Sequence, residues 1–134
     1  SMGSYVADQV SKIMTKKRIH VVDANVLIMG FTFKENCPDI RNTRIVDLVE
    51  EFESFNCNVD VYDPWVDKDE AVHEYNIKPI NQPEIGKYDA ILLAVAHNEF
   101  KVLSVEQIKA FGKDNHVLYD IKYLLDANEV DGRL

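Results

Sequence analysis

Two lysines and three aromatic residues are the side chains best suited to binding a small anionic ligand. Lys34 and Lys122 each follow closely after a run of apolar residues. A lysine binds phosphate through charge-assisted hydrogen bonds, and the rings of Phe31, Phe33 and Trp65 offer flat surfaces for a base or a sugar. The combination predicts a phosphate-bearing ligand, although each lysine taken alone is equally typical of a solvated loop.

The pattern of apolar residues predicts the elements that carry these side chains. Continuous or alternating apolar runs indicate strands at 25–30, 58–63, 88–96 and 116–119, and a minor strand at 77–80, where Pro79 favours an edge position. Apolar spacing of three and four residues, or a capping pattern, indicates helices at 6–14, 45–55, 67–75 and 104–111, and a short helix from 120 to 125.

Alternation of strands and helices predicts an α/β fold, a Rossmann-like three-layer sandwich. Its sheet is expected to be mostly parallel, with five or six strands and helices on both faces. Ligands of such sheets bind beyond the carboxyl ends of the strands. Lys34 and Lys122 both follow such ends, so we expect them to meet at one crevice.

Composition excludes several classes of function. The chain has 134 residues, and its 15 basic and 23 acidic residues give a net charge of −8, which is unfavourable for binding nucleic acid. No apolar run approaches the length of a membrane span. Two cysteines, Cys37 and Cys57, and no signal peptide predict a reducing, cytoplasmic setting. We interpret Cys37 as structural.

Several catalytic and cofactor motifs are missing. The turn after Gly30 continues with two phenylalanines, whereas a dinucleotide-binding turn needs small residues that let pyrophosphate approach the backbone. No spacing of His and Cys indicates a metal site, and no Gly-x-Ser-x-Gly turn is present. His97, at the end of a predicted strand, is the only histidine in a predicted site.

Residues 30–43 carry a longer pattern, Gly-Phe-Thr-Phe-Lys-Glu-Asn-Cys-Pro-Asp-Ile-Arg-Asn-Thr. It resembles G-x-x-F-K-x-x-x-x-D-x-R-x-S, which opens the C-terminal UDP-binding domain of the UDP-glucose/GDP-mannose dehydrogenase family, with Thr43 in place of Ser. The resemblance continues at 61–64, 89–97 and 119–122. It covers most of the chain from about residue 25 onward.

The resemblance implies a domain layout and an activity. Residues 1–3 are expected to be a cloning remnant and start, since Ser1 precedes Met2. Residues 4–18 are expected to form the tail of the helix that precedes the domain, and residues 19–134 the UDP-sugar-binding domain itself. The family oxidises the sugar C6 hydroxyl to a carboxylate with NAD. The sequence is most similar to the branch that acts on UDP-N-acetylhexosamines for capsule, O-antigen or Vi-type polysaccharide, with UDP-glucose 6-dehydrogenase as the alternative.

The same resemblance implies roles for individual residues. Phe33 and Lys34 contact the UDP-sugar, and Lys122 stands where many members carry a substrate-contacting Arg. Arg41 reaches toward NAD, and Asp39 orients the loop. NAD is bound mainly by an N-terminal domain, and the catalytic Cys belongs to a middle region. The chain alone is therefore expected to be inactive, with those two domains as its partners in a homodimer or larger assembly.

Other interpretations stay open at this point. Arg41 can simply pair with Asp39 or Glu35, and Arg44 is equally typical of a surface residue.

Residues 21–28 resemble the first strand of PIN-type nucleases, in which Asp23 binds a metal with Glu50, Asp89 or Asp120. A receiver-like regulatory module would use Asp63 as a phosphate acceptor. Metal-dependent RNA cleavage and phosphorylation by acetyl phosphate distinguish these two alternatives.

Overall fold

The computed structural model describes residues 1–134. Its helices and strands are α1 (Met2–Lys16), β1 (Asn25–Met29), α2 (Ile45–Ser54), β2 (Asn58–Tyr62), α3 (Lys68–Tyr75), β3 (Tyr88–Leu93), α4 (Asn98–Lys101), α5 (Val105–Lys109), β4 (Gly112–Asp120) and β5 (Gly132–Arg133). None of the helices combines the length and the apolar character that a membrane crossing requires.

All five strands are parallel and form one sheet in the order β2-β1-β3-β4-β5. Ile28 of β1 lies opposite Val61 on one side and Leu92 on the other. From β1 the chain moves outward to β2, then returns to β3 and continues in the opposite direction. The strand order therefore reverses between β1 and β3, which is where open α/β sheets form a binding crevice.

Alternate residues of the central strands supply two separate cores. Val26, Ile28 and Leu92 face a layer that contains α1 and α2, and Leu27 and Met29 face the opposite layer, with α4 and α5. Strands buried on both faces read as continuous apolar runs, as the sequence of β1 and β3 does. The three-layer Rossmann-like sandwich and the five-stranded sheet predicted from the sequence are confirmed.

Helix α1 is held against the sheet and α2 by one apolar stripe. Val6, Val10 and Met14 are fully buried, whereas Ile13 is half-buried at the edge of the stripe. Their spacing of four residues places them on one helical face. The packing makes α1 part of this globular unit.

Two local predictions are wrong. Residues 77–80 form no strand, because Pro79 has no amide hydrogen and only Ile80 bonds to β2, through the Val61 carbonyl at 2.8 Å. No helix runs from 120 to 125, because Tyr123 has a left-handed φ of +58° and the Leu125 amide donates to the Asp120 carboxylate instead of the Ile121 carbonyl. Strand β5 and the short helix α4 were not predicted.

The two edges of the sheet differ in how they are closed. On β2, Asp60 accepts hydrogen bonds from the Tyr88 hydroxyl at 2.7 Å and from the Lys87 ammonium at 3.1 Å. On the other edge, β5 has two residues, of which Gly132 pairs with Tyr119. The β5 edge is therefore only two residues long, whereas β2 is as long as β1 and carries an inward-facing charge.

Gly30 is the turn point at which β1 leaves the sheet, and its replacement is the first testable prediction. Its φ is +108°, and a Cβ there would lie 2.6 Å from the Val95 Cβ. Gly30→Ala should lower the free energy of unfolding by about 2–4 kcal/mol through backbone strain and overpacking, measured by urea denaturation. Gly86→Ala is the matched control, because its φ is +70° but no atom lies within 4 Å; it should lose about 1 kcal/mol. Equal losses would contradict the close packing assigned to Gly30.

Candidate functional site

A cleft of about 200 Å³ opens at the carboxyl edge of the sheet, where the strand order reverses. Its walls come from the loop after β1, the residues after β3 and β4, and the start of α2. The lining includes Thr32, Phe33, Arg44, Val95, Ile121 and Lys122. The sequence analysis expected a crevice at this edge, and it placed Phe33 and Lys122 in it.

Phe33 presents an apolar ring to ligands. Its side chain remains 52% exposed although it lines the cleft. The Phe33 amide donates to the Asp39 carbonyl at 2.8 Å, and the Thr43 hydroxyl donates to the Phe31 carbonyl at 2.6 Å. These two bonds fold residues 31–43 back on themselves, so Phe33 is held while its ring stays accessible.

Two cationic side chains line the cleft without a partner. Lys122 is anchored only by its backbone amide, which donates to Asp120 at 3.1 Å, and the Arg44 guanidinium makes no hydrogen bond or ion pair. In a chain of net charge −8, unpaired cations in a concave site favour an anionic ligand. Arg44 was not singled out from the sequence, where it has no feature beyond its place before α2.

Lys34 is exposed on the same loop as Phe33 but does not line the cleft. Its ammonium group has no partner, and its carbonyl accepts a hydrogen bond from the Thr32 hydroxyl at 3.0 Å. The structure thus places Lys34 at the same sheet edge as Lys122 and on the loop that forms one wall of the cleft.

Arg41 makes a two-pronged ion pair with Asp39. The Arg41 Nε lies 3.0 Å from Asp39 Oδ1, and its Nη2 lies 3.1 Å from Oδ2. These hydrogen bonds lower the pKa of Asp39 and raise that of Arg41. The local pairing considered from the sequence is confirmed, and Glu35 takes no part in it. The Arg41 side chain is exposed and lies outside the cleft.

The Asp63 carboxylate, just after β2, organises the loops at this edge. Asp63 is only 3% exposed. Its Oδ2 accepts the amides of Phe31 at 2.6 Å and Thr32 at 3.0 Å. Its Oδ1 accepts the amides of Trp65 at 2.7 Å and Val66 at 3.1 Å. One buried carboxylate therefore fixes both the start of the β1 loop and the turn after β2.

His97, which follows β3, completes the shell around Asp63. Its Nε2 lies 2.9 Å from Asp63 Oδ2 and 3.2 Å from the Thr32 hydroxyl oxygen, and its Nδ1 accepts the Asn36 amide at 2.9 Å. A nitrogen that accepts an amide hydrogen carries no proton, so the imidazole is neutral with its proton on Nε2. The Thr32 hydroxyl donates its own proton to the Lys34 carbonyl, so the Thr32 oxygen can accept a hydrogen bond from His97 Nε2.

Aromatic rings cover this pair on both sides. Trp65 stacks on His97 with ring centres 6.3 Å apart, and Phe100 meets it edge-on at 5.5 Å. The indole Nε1 donates to Glu99 at 2.9 Å, which fixes the ring. The cover excludes water from the bonds between Asp63 and its donors, and these bonds are stronger in such surroundings.

Asp63 and His97 were not paired from the sequence. They are 34 residues apart, and the only signal was that each directly follows a predicted strand and thus reaches the same edge.

The structure contradicts both alternative functions. Asp23 and Asp89 lie at the amino edge of the sheet and Asp120 at the carboxyl edge, and no group of three metal-ligating side chains is present. Asp63 is buried with both oxygens bonded to amides, so it is unavailable for phosphorylation.

Comparison with known proteins identifies the relatives of this chain. The profile described as UDP-glucose/GDP-mannose dehydrogenase family, UDP binding domain, matches residues 27–127. UDP-N-acetyl-D-glucosamine 6-dehydrogenase of Pseudomonas aeruginosa is 57% identical over 133 residues, which are 99% of this chain and 32% of that protein. The enzyme of the same name from Salmonella typhi is 54% identical over 134 residues, all of this chain and 32% of its own.

The chain thus spans about a third of the length of these curated relatives. Among solved structures, NDP-N-acetyl-D-galactosaminuronic acid dehydrogenase from Methanosarcina mazei Go1 superposes with a TM-score of 0.84 at 19% identity. That match covers 96% of this chain and 26% of the other, and it supports the same fold.

The hydrogen bonds to Asp63 predict a loss of stability in acid. Burial alone would raise the pKa of Asp63, but hydrogen bonds from His97 and from the Phe31 and Thr32 amides hold it below its ordinary value of 3.8. The unfolded chain therefore binds a proton at higher pH than the folded one. We expect the free energy of unfolding to fall as pH drops below about 3.8 and through the folded pKa.

Urea denaturation at a series of pH values measures this loss. Asp63→Asn should remove the part of the acid dependence that comes from Asp63. It should also lower the free energy of unfolding by about 3 kcal/mol at neutral pH, because the amide hydrogens of Asn would face the donors that now bond the carboxylate. Asp69→Asn is the control, since Asp69 is exposed on α3 and bonds to nothing. An acid profile unchanged in Asp63→Asn would contradict the role of Asp63.

Proposed function

The chain belongs to the UDP-glucose/GDP-mannose dehydrogenase family, through that family's UDP binding domain, and from this we propose that its cleft binds the UDP part of a UDP-sugar. The observation that carries the proposal is the meeting, in one cleft, of the Phe33 ring with the unpaired cations of Arg44 and Lys122. An aromatic face suits uracil or a sugar ring, and cations suit the diphosphate.

Lys34 is the third cation of this proposal. Its side chain is exposed on the loop that carries Phe33, and its ammonium group makes no hydrogen bond or ion pair, although Asp39 is near enough to attract it. A lysine on a flexible stem reaches a bound diphosphate from such a position without the fixed geometry that an arginine needs. We assign Phe33, Lys34 and Lys122 to substrate binding, and Lys122 acts as a point charge where many members have Arg.

The substrate that we propose is a UDP-N-acetylhexosamine. Two relatives that match nearly all of this chain, at 57% and 54% identity, are named UDP-N-acetyl-D-glucosamine 6-dehydrogenase. UDP-glucose is the alternative within the same family. The product, a UDP-uronic acid, would supply the synthesis of a surface polysaccharide, and we place the reaction in the cytoplasm.

The whole enzyme would oxidise the C6 hydroxyl of the sugar to a carboxylate. This oxidation removes two hydrides from carbon and takes one oxygen from water, so two NAD are reduced for each sugar. Residues after β1 do not fit the dinucleotide, because Phe31 is buried and Phe33 occupies the turn where pyrophosphate needs small residues. As the resemblance to the family implies, we assign NAD and the catalytic Cys to the N-terminal and middle domains of the whole enzyme.

Arg41 is the residue of this chain that we assign to the cofactor. Its guanidinium is exposed and needs only to leave Asp39 to reach a group on a neighbouring domain. The chain itself supplies no catalytic residue. Its work is to hold the UDP moiety of the substrate, in a complete enzyme that we propose to be a homodimer or larger assembly.

A titration with UDP tests the binding site directly. Protein-observed NMR should show shifts at Phe33, Lys34 and Lys122 with UDP, and NAD, UMP and Mn²⁺ serve as parallel ligands. Lys34→Ala and Lys122→Ala should each weaken UDP binding by roughly 10- to 150-fold, because each loses a charge-assisted hydrogen bond of about 1.5–3 kcal/mol.

Lys16→Ala is the matched control, since Lys16 is exposed and unpaired in the last turn of α1, away from the cleft. Unchanged UDP affinity in both of the other variants would contradict the assignment of the diphosphate site. Shifts with Mn²⁺ but not with UDP would contradict the proposed function as a whole.

The second test uses a full-length protein that contains this domain. With UDP-N-acetylglucosamine it should form two NADH per sugar, and this chain alone should form none. Lys122→Ala in that protein should lower kcat/KM by roughly 10- to 150-fold, measured by NADH absorbance. A higher kcat/KM for UDP-glucose would select the alternative substrate, and no NADH with any UDP-sugar would contradict the dehydrogenase assignment.

A further inference from the structure

The loop of residues 31–36 is anchored to other parts of the fold at both of its ends. The bonds in its middle are local and run from the Phe33 amide to the Asp39 carbonyl and from the Thr32 hydroxyl to the Lys34 carbonyl. At one end, the Phe31 and Thr32 amides donate to Asp63. At the other end, the Asn36 amide donates to His97 Nδ1 at 2.9 Å, and the Asn36 side-chain oxygen accepts the Asn98 amide at 2.9 Å. Phe33 and Lys34, two of the three residues assigned above to substrate binding, lie between these anchors.

We propose that His97 is a positioning residue for the UDP-sugar: in its neutral form, with the proton on Nε2, it holds Asn36 and so keeps Phe33 and Lys34 in the binding geometry. Protonation of Nδ1 removes the bond from the Asn36 amide, leaves Asn36 held only through its side chain, and weakens UDP-sugar binding. This inference rests on the proposed function. His97 itself is fully buried and does not line the cleft.

The geometry of the two ring nitrogens explains why only one end of the loop responds. A proton on Nδ1 would point at the Asn36 amide hydrogen, and two donors cannot share one bond. The Nε2 proton still donates to Asp63 in either state. The Asp63 anchor therefore survives, and the Asn36 anchor keeps only the bond from the Asn98 amide to its side-chain oxygen.

Several charged or titratable groups surround the ring. Asp63, after β2, lies 2.9 Å from Nε2, and Glu99 on α4 accepts the indole N–H of the Trp65 ring that stacks on His97. Tyr62 of β2 packs on Phe100, which covers the other side of His97. No cation contacts the ring.

Two substitutions separate the two hydrogen bonds of the imidazole, one to Asp63 and one from the Asn36 amide. In His97→Gln, the side-chain amide reaches the Nε2 position and donates to Asp63, but nothing accepts the Asn36 amide. In His97→Asn, the side-chain oxygen sits near the Nδ1 position and accepts the Asn36 amide, but the donor to Asp63 is lost. Neither side chain titrates, so neither variant can show the pH dependence.

The experiment measures affinity for UDP-N-acetylglucosamine from about pH 8 to about pH 5, the range in which histidine changes its charge. Both phosphates of this probe are esterified, so its own charge stays constant there. Long-range ¹H–¹⁵N NMR reads the tautomer and protonation of His97, and the backbone amide of Asn36 reports its anchor. His73→Gln is the control, because His73 is 85% exposed on α3.

We expect the Nε2–H tautomer at neutral pH. Affinity should fall about tenfold as His97 protonates, with the same midpoint as the shift of the Asn36 amide. His97→Gln should bind about tenfold more weakly than the parent at neutral pH, His97→Asn should lose less, and both should show a flat pH profile. The control should follow the parent.

The possible failures are distinguishable. If the parent binds no UDP-sugar at any pH, the proposed function falls and this inference with it. An affinity that stays constant over the pH range, or a proton found on Nδ1 at neutral pH, overturns this inference and leaves the proposed function standing. The parent's own titration decides the matter even if a His97 variant does not fold.

Discussion

The carboxylate of Asp63 is the group on which the arrangement of the site depends. A buried charge is tolerated only where hydrogen bonds replace its lost hydration, and five N–H groups do so here, four from the backbone and one from His97. Those donors come from the loops after β1, β2 and β3. Satisfying one anion therefore forces three loops into a single arrangement.

A second buried carboxylate does the same for the fourth loop. Asp120, at the end of β4, is fully buried and accepts the amides of Lys122 and Leu125. The carboxyl edge is thus built around acidic side chains that point inward, while the cations of the cleft point outward. This separation lets an acidic protein present a cationic site, because its anions at this edge are already bonded.

The fold was predictable from the sequence because burial on two faces leaves an unmistakable pattern. The run 88–93 and the stripe of Val6, Val10 and Met14 have only one stable interpretation each. Strand β5 was not predictable, because two residues with a glycine carry no periodicity. The helix expected after Asp120 is absent because Tyr123 is left-handed and the Asp120 carboxylate accepts the Leu125 amide, which a helix would bond to the Ile121 carbonyl.

The candidate site was predictable only for residues that stand next to the end of a strand in the sequence. Phe33 and Lys122 follow strand ends directly, so the topology rule placed them at the cleft. Arg44 reaches the same cleft from the start of α2, which depends on how that helix packs. The contact between Asp63 and His97 joins loops separated by β1, and the sequence indicates only that both residues reach this edge, not that they meet.

The two edges of the sheet bear on how copies of this domain can associate. An exposed edge strand is a template for another strand, and long flat edges lead to aggregation. Here β2 turns the charge of Asp60 inward against Lys87, and β5 offers two residues of backbone. Continuous intermolecular sheets are therefore disfavoured, and association between copies must use helical faces or loops. A crowded solution of this domain should stay free of fibrils.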